Sequence, residues 1–225
     1  TYGLRDMTDK QGGFYSAEDA DSEGEEGIFY IWTEKELVEI LGKDEGQKLA
    51  KVFGFIDVGN FQEEASGHTT GNNIPYFPRD REILAKKSEM NLNDFNAFIE
   101  KSRQKLFAVR EKRIHPLKDD KILTDWNALM IVALAKAGSV FDEKVFTNKA
   151  KNAFDFIEEH LISEEQLFHR YKEQESSINA FADDYSFLIW AAIELYEATF
   201  EVNYLKKAIS LSEQFVEKFW DSKDG

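Results

Sequence analysis

The sequence predicts a mainly α fold, an arc of stacked helical hairpins, and three observations carry that expectation. Two long apolar stretches, Trp126 to Gly138 (WNALMIVALAKAG) and Tyr185 to Ala198 (YSFLIWAAIELYEA), are free of proline and rich in Ala and Leu. They are too long for strands and read as helices buried on nearly all sides. Each is followed by an amphipathic helix: Phe146, Ala150, Ala153, Phe154, Ile157 and Leu161 share one stripe, and Leu205, Ala208, Leu211, Phe215 and Phe219 another. The two pairs are copies. Asp125-Trp126-Asn127 heads the first apolar helix and Asp184-Tyr185-Ser186 the second, 59 residues on, while Phe146 matches Tyr204 and Ala150 matches Ala208 at 58. An apolar inner helix and an amphipathic outer helix, repeated, stack as a partial α/α toroid.

Along the chain, residues 1–13 read as the end of a preceding hairpin. Asp9 to Gly12 and Ser222 to Gly225 look like the same turn, with Gly at a helix exit. Residues 14–119 read as a small β-hairpin and a long, partly helical insertion. In it Gly27 to Trp32 (GIFYIW) is a predicted strand with GGFYS as its partner. Thr33 and Glu36 form a capping box before a helix that Gly42 ends. Gly59 to Pro78 is a predicted loop. Asn93 to Arg113 is a predicted helix with Phe95, Phe98, Ile99, Ser102, Leu106 and Val109 inward, and Pro116 just beyond it. Residues 120–182 and 183–225 are the two hairpin repeats. The chain therefore reads as a fragment of one toroid domain, and a partial ring is expected to self-associate through its apolar edges.

Composition narrows the function. Hydrophobic residues make up 42% of the 225 and aromatics 14%, which excludes a disordered chain. The 43 acidic and 28 basic side chains leave a net charge of −15, so neither nucleic acid nor an anionic membrane is an expected partner. No apolar run is long enough to span a bilayer. With no Cys, disulfides, thiolate metal sites and a Cys nucleophile are excluded. A cytoplasmic location is the expectation, and no signal peptide is visible.

Two acidic clusters could carry chemistry. In Ala17 to Gly27 (AEDADSEGEEG), Asp19, Asp21, Glu23 and Gly24 reproduce the start of a calcium loop. Tyr30 stands at the twelfth position, where a bidentate Glu is needed, and Glu26 stands at the eighth, so the EF-hand reading fails. Another cation site, a solvated acidic turn and an acid/base role for these carboxylates stay open. The second cluster holds Asp119, Asp120 and Asp125, with Asp183 and Asp184 as its counterpart in the repeat. Capping accounts for one Asp per helix N-terminus, but a second beside it in both copies is more than capping requires. In a ring the inner helices run parallel and their N-termini share one rim. Carboxylates beside aromatic rings at that rim are what a sugar site needs, rings stacking on the sugar while carboxylates bind hydroxyls or move protons. The candidate catalytic residues are Asp120, Asp125 and Asp184. Glu18, Asp19, Asp21, Trp126, Asn127, Asp183, Tyr185 and His169 are candidate substrate contacts. Of the four histidines, none spaced as metal ligands, His169 is the best placed for proton transfer. No metal or cofactor is expected.

The strings GGFYSAEDADSEGEEGIFYIWT, GNF, REKR…P…DDKILTDWNALMIVALA and DDYSFLIWAAIELYEAT also carry a family resemblance. Over essentially its whole length the chain resembles the helical region of the thioredoxin-domain proteins related to spermatogenesis-associated protein 20. The resemblance implies a thioredoxin-like domain preceding this region in the same polypeptide. It also implies an α/α toroid similar to the N-acylglucosamine 2-epimerase and six-hairpin glycosidase group, hence a link to carbohydrate metabolism. Sugar epimerases of that group use His pairs in the ring interior, and no such pair can be placed here. The GHTTGNNIP loop is longer than the family pattern after GNF. Two functions follow as expectations: a carbohydrate-related domain, epimerase, isomerase or glycosidase-like, with a sugar ligand; or a non-catalytic helical scaffold or interaction module attached to the thioredoxin-like domain.

Overall fold

The computed structural model describes residues 2–62 and 67–223. Positions 63–66 of the expected 59–78 loop, Thr1, and the last two residues of the expected 222–225 turn lie outside the described residues. In chain order come α1 (Tyr2–Asp6), three two-residue strands β1 (Ala17–Glu18), β2 (Asp21–Ser22) and β3 (Glu25–Glu26), then α2 (Glu34–Leu41) and α3 (Lys43–Val52). Next are α4 (Arg81–Lys87), α5 (Leu92–Arg110), β4 (Lys118–Asp119), β5 (Ile122–Leu123), α6 (Thr124–Phe141) and α7 (Lys144–His160). The chain continues through β6 (Ile162–Ser163), β7 (Gln166–Lys172), β8 (Glu175–Asn179), α8 (Ala182–Thr199) and α9 (Val202–Phe219). Two compact units result, one of Thr1–Ala17 with Lys118–Gly225 and one of Glu18–Leu117.

The larger unit is the pair of hairpins. Helix α6 packs on α7 and on α8, and α8 packs on α9. The inner helices are parallel, because Asp125 meets Asp184 near their N-termini and Lys136 meets Glu194 further along. The outer helices are parallel too, with Lys151 on Glu201 and Glu158 on Lys207. This inner layer against an outer layer is the arrangement of a partial α/α toroid. Between the layers Ile131, Leu188, Leu195, Phe154, Phe156 and Ile157 are all essentially inaccessible. Burial of each such side chain is worth roughly 1.5–3 kcal/mol. Small residues set the spacing: a Cβ on Gly138 of α6 would lie 2.1 Å from Thr147 Oγ1 of α7.

The inner helices are less enclosed than their composition suggests. Trp126, Leu129 and Met130 of α6 and Trp190 and Ile193 of α8 are all exposed, Trp126 at 52%. Each inner helix therefore has one apolar face packed and another open, a pattern that apolar content alone hides because it lacks the polar stripe that marks a solvent face.

Sequence reasoning missed the β-sheet that completes this unit. Strand β7 pairs antiparallel with β5, β6 and β8. Because β5 runs straight into α6, its pairing with β7 (Leu123 opposite Arg170) brings β7 to the N-terminus of α6. The connections β6–β7 and β7–β8 are two-residue loops, Glu164-Glu165 and Glu173-Gln174, all four residues with positive φ.

In the smaller unit α2 starts at the predicted capping box, with the Thr33 hydroxyl accepting from Glu36 N–H and the Glu36 carboxylate accepting from Thr33 N–H. Gly42 ends it at φ 89°. Helix α5 buries Phe95, Ile99, Ser102 and Leu106, as predicted, against Leu37 and Leu49 of α2 and α3. The strand expected at Gly27 to Trp32 is absent. Residues 27–30 form a turn, and the carbonyls of Ile28, Phe29 and Ile31 accept from the Arg113 guanidinium, which lies 4.0 Å over the Trp32 ring. Only Trp32 bridges to another segment, at Asn73, and within Gly12 to Ser16 it is Phe14 that bridges, to Thr8. The acidic run instead makes a hairpin, Asp21 opposite Glu26 and Ser22 opposite Glu25, around Glu23 and Gly24.

Candidate functional site

The rim where α6 and α8 begin is built by three pieces of local structure. Helix α8 is preceded by the N-cap residue Phe181, whose N–H donates to Asp184 Oδ2 at 2.8 Å, and Asp184 Oδ1 accepts the N–H of Asp125 at 3.0 Å, so one carboxylate serves the N-termini of both inner helices. Asp184 is fully buried, and the third group it binds is His169 of β7. The imidazole Nδ1 lies 2.9 Å from Oδ1 and 3.0 Å from Oδ2. Strand β7 is held in place by Thr124, whose hydroxyl donates to the Phe168 carbonyl at 2.6 Å.

The chemistry of this pair follows from its donors and acceptors. An ionised carboxylate only accepts, so Nδ1 carries the hydrogen and Nε2 is left to accept or deliver a proton. A buried carboxylate held by two backbone N–H groups cannot turn away, which fixes the ring. Phe181, itself exposed, packs edge-on against the ring with centroids 5.1 Å apart.

Asp125 lies beside the pair. Desolvation raises its pKa, the neighbouring Asp184 charge adds to the rise, and the Trp126 N–H and His169 oppose it. Its carboxylate accepts from Trp126 N–H at 2.8 Å, and the indole of Trp126 stands half in solvent next to it. The rim thus offers a fixed imidazole, a carboxyl that holds its proton to higher pH than usual, and an exposed aromatic face.

The other candidates are placed differently. Tyr185 is fully buried, edge-on to Phe219 at 5.7 Å, so it presents no face for a ligand to stack on. Asn127, also buried, accepts from Phe14 N–H and donates to the carbonyls of Phe14 and Leu123, tying the Phe14 segment to α6. Asp120 forms a partly exposed ion pair with Lys172 at 3.3 Å, and Asp183 is exposed in the first turn of α8. Glu18, Asp19 and Asp21 belong to the smaller unit, where Asp19 accepts from Asp21 N–H across the turn at 3.1 Å. Phe181 and Thr124 were not anticipated. Both depend on strand β7, which has no apolar run or turn motif to announce it.

Asp125, His169 and Asp184 each offer one ligand atom within 4.8 Å of the others, the arrangement a cation would need among the described residues. Two features of the site oppose a cation. Asp184 already accepts from three donors, and two helix N-termini place positive potential there. No helix of the described residues is long and apolar enough to cross a membrane.

No protein-family model matches the chain. Among solved structures, a cellobiose 2-epimerase from Bacillus thermoamylovorans B4167 superposes at TM-score 0.45 with 12% identity, covering 99% of this chain and 53% of that one. A sugar epimerase from a ruminal bacterium superposes at 0.42 with 17% identity, covering 95% and 52%. Human spermatogenesis-associated protein 20 is 30% identical over 251 residues, and the rat protein 30%. An uncharacterized protein of Caenorhabditis elegans is 29% identical over 243 residues. The chain spans about a third of the length of these relatives, 32% of the human protein. Along its full length, the chain is homologous to a segment of the spermatogenesis-associated protein 20 proteins.

Proposed function

We propose that the rim at the N-termini of α6 and α8 is a carbohydrate site at which His169 moves a proton, in the manner of a sugar epimerase or isomerase. The observation that carries this reading is the His169–Asp184 pair, in which Nδ1 meets a buried carboxylate that is anchored by two backbone N–H groups, while Nε2 takes no part in that contact. His169 Nε2 would take the proton from the carbon beside a sugar carbonyl, and the Asp125 carboxyl, whose pKa burial raises, would return one. Trp126 would stack on the apolar face of the ring or chain. Hydrolysis by a pair of carboxylates fits less well, because Asp184 is fully buried and its oxygens already accept from three donors.

The test is proton exchange. The intact polypeptide is incubated in D2O with a panel of reducing sugars, and NMR follows loss of the C–H signal beside the carbonyl. At least one sugar should exchange, and His169→Gln should slow that exchange by about 100-fold or more. The scaffold reading has one observation in its favour, that Asp184 holds two backbone N–H groups and Asn127 holds three backbone groups. Absence of exchange with every sugar, together with absence of any sugar-induced shift in Tm, would establish it instead.

A further inference from the structure

The outer helices α7 and α9 enclose a polar cleft of about 580 Å³ that shares no residue with the rim. We propose that this cleft binds a small zwitterion, a primary ammonium that also carries a carboxylate, as a free α-amino acid does. The proposal stands whether or not the carbohydrate reading does.

Helical spacing builds the walls. Lys151, Asp155 and Glu158 are four and three residues apart, so they share the face of α7 that lines the cleft. Lys206 and Lys207 line it from α9, and the buried Phe154 and Tyr204 lie at the contact between the two helices. Lys151 pairs with Glu201 at 2.8 Å, and Glu158 pairs with Lys207 at 2.7 Å. These pairs use up two carboxylates and two ammonium groups. Asp155, which stands between Lys151 and Glu158 on its helix, enters no ion pair among the described residues, and neither does Lys206. One unspent charge of each sign is left in the cleft.

A third unspent group points to the ligand. Tyr204 is only 7% exposed, its ring is edge-on to Phe154 with centroids 5.3 Å apart, and its hydroxyl makes no hydrogen bond among the described residues. A buried phenol ordinarily finds a partner. Burial raises the Tyr204 pKa, and the charges of Asp155, Glu201 and Glu158 raise it further, which sets the hydroxyl among those three carboxylates. Asp155 is raised as well, by desolvation first and then by Glu158 and Glu201 against the opposing Lys151. A cation between Asp155 and Tyr204 relieves both. An ammonium group has three donors, so it can give one to the Asp155 carboxylate and another to the phenol oxygen. A metal ion fits less well, because among the described residues these carboxylates do not gather closely enough to share one ion. A bare amine would leave Lys206 unpaired beside a second cation. A carboxylate on the same ligand pairs with Lys206 and keeps the cleft electrically balanced.

The intact polypeptide is titrated by calorimetry with each standard L-α-amino acid, then with the carboxamide and the N-acetyl derivative of the tightest binder. At least one amino acid should bind with a Kd of about 1 mM or tighter, and both derivatives should bind about tenfold or more weakly, since each lacks one of the two charges. Asp155→Asn should weaken the amino acid about tenfold or more, and Tyr204→Phe and Lys206→Gln about threefold or more each. None of these changes removes a contact on which folding rests, because Asp155 and Lys206 are exposed and the Tyr204 hydroxyl bonds to nothing among the described residues. Failure of every amino acid to bind overturns the proposal. So does binding that either derivative matches, or that any of the three variants leaves intact.

Discussion

Asp184 and Asp183 are neighbours in sequence with opposite structural roles, and mutation should separate them. Asp184 is buried and accepts from Asp125 N–H, Phe181 N–H and His169, whereas Asp183 is exposed. Asp184→Ala leaves three donors without an acceptor and should cost about 3 kcal/mol in urea unfolding. Asp183→Ala should stay within about 0.5 kcal/mol of the parent, and equal costs would contradict the geometry. Asp125 gives a pH signature. Its pKa is raised in the folded chain, chiefly by burial. Below the ordinary carboxylate value both folded and unfolded states hold the proton and the group is neutral toward stability. As pH rises past that value the unfolded chain ionises first, so stability falls until the folded carboxyl ionises as well. Asp125→Asn should therefore raise Tm at pH 7, with the gain vanishing as pH falls below about 4. A gain that is independent of pH would show that the charge is not its cause.

At the scale of elements, the repeat helices, α2 and α5 were legible while α3, α4 and the sheet were not, for physical reasons. A helix advertises itself along its own length: the stripe Ala150, Ala153, Phe154, Ile157 and the box Thr33 to Glu36 depend on residues three and four apart. Strand β7 shows itself only through its partners, and its two hairpin loops use Glu164-Glu165 and Glu173-Gln174 where the favoured residues for a left-handed pair are Asn-Gly. Without that signal the segment reads as a polar connection, and the approach of His169 to Asp184, set by β7, stays hidden. Only the N-terminal grouping of Asp125 with Asp184 could be inferred, from the repeat. The unfavourable loops make a prediction. Replacing Glu173 with Asn and Gln174 with Gly should stabilise the chain by about 1 kcal/mol or more by relieving two left-handed residues. Gly138→Ala should do the reverse by about 1–3 kcal/mol, since its methyl would meet Thr147, and Thr147→Ala should recover part of the loss. Full additivity of the last two changes would argue that they do not touch.

At the scale of the whole molecule, charge and apolar surface act on different parts of the same architecture. Of the 43 carboxylates, Asp184 is buried and takes part in the rim, while others such as Asp120, Glu158 and Glu201 meet lysines in partly exposed pairs. Pairs of that kind are each worth only about 0–1 kcal/mol, so they offset little of the repulsion that a net charge of −15 imposes. Screening acts on both terms. It weakens the few attractive pairs and also the more numerous like-charge interactions, and with 43 acidic against 28 basic groups the second effect should dominate. Raising NaCl from roughly 10 to 150 mM, which shortens the screening length from about 30 to 8 Å, should therefore raise Tm. Asp125→Asn should reduce this dependence only slightly, because the source is the whole surface and not the rim. A Tm that falls with salt would mean that the ion pairs between the outer helices, Lys151–Glu201 and Lys207–Glu158, outweigh the net repulsion, and that the stacking of the repeat is held by charge as much as by its apolar layer.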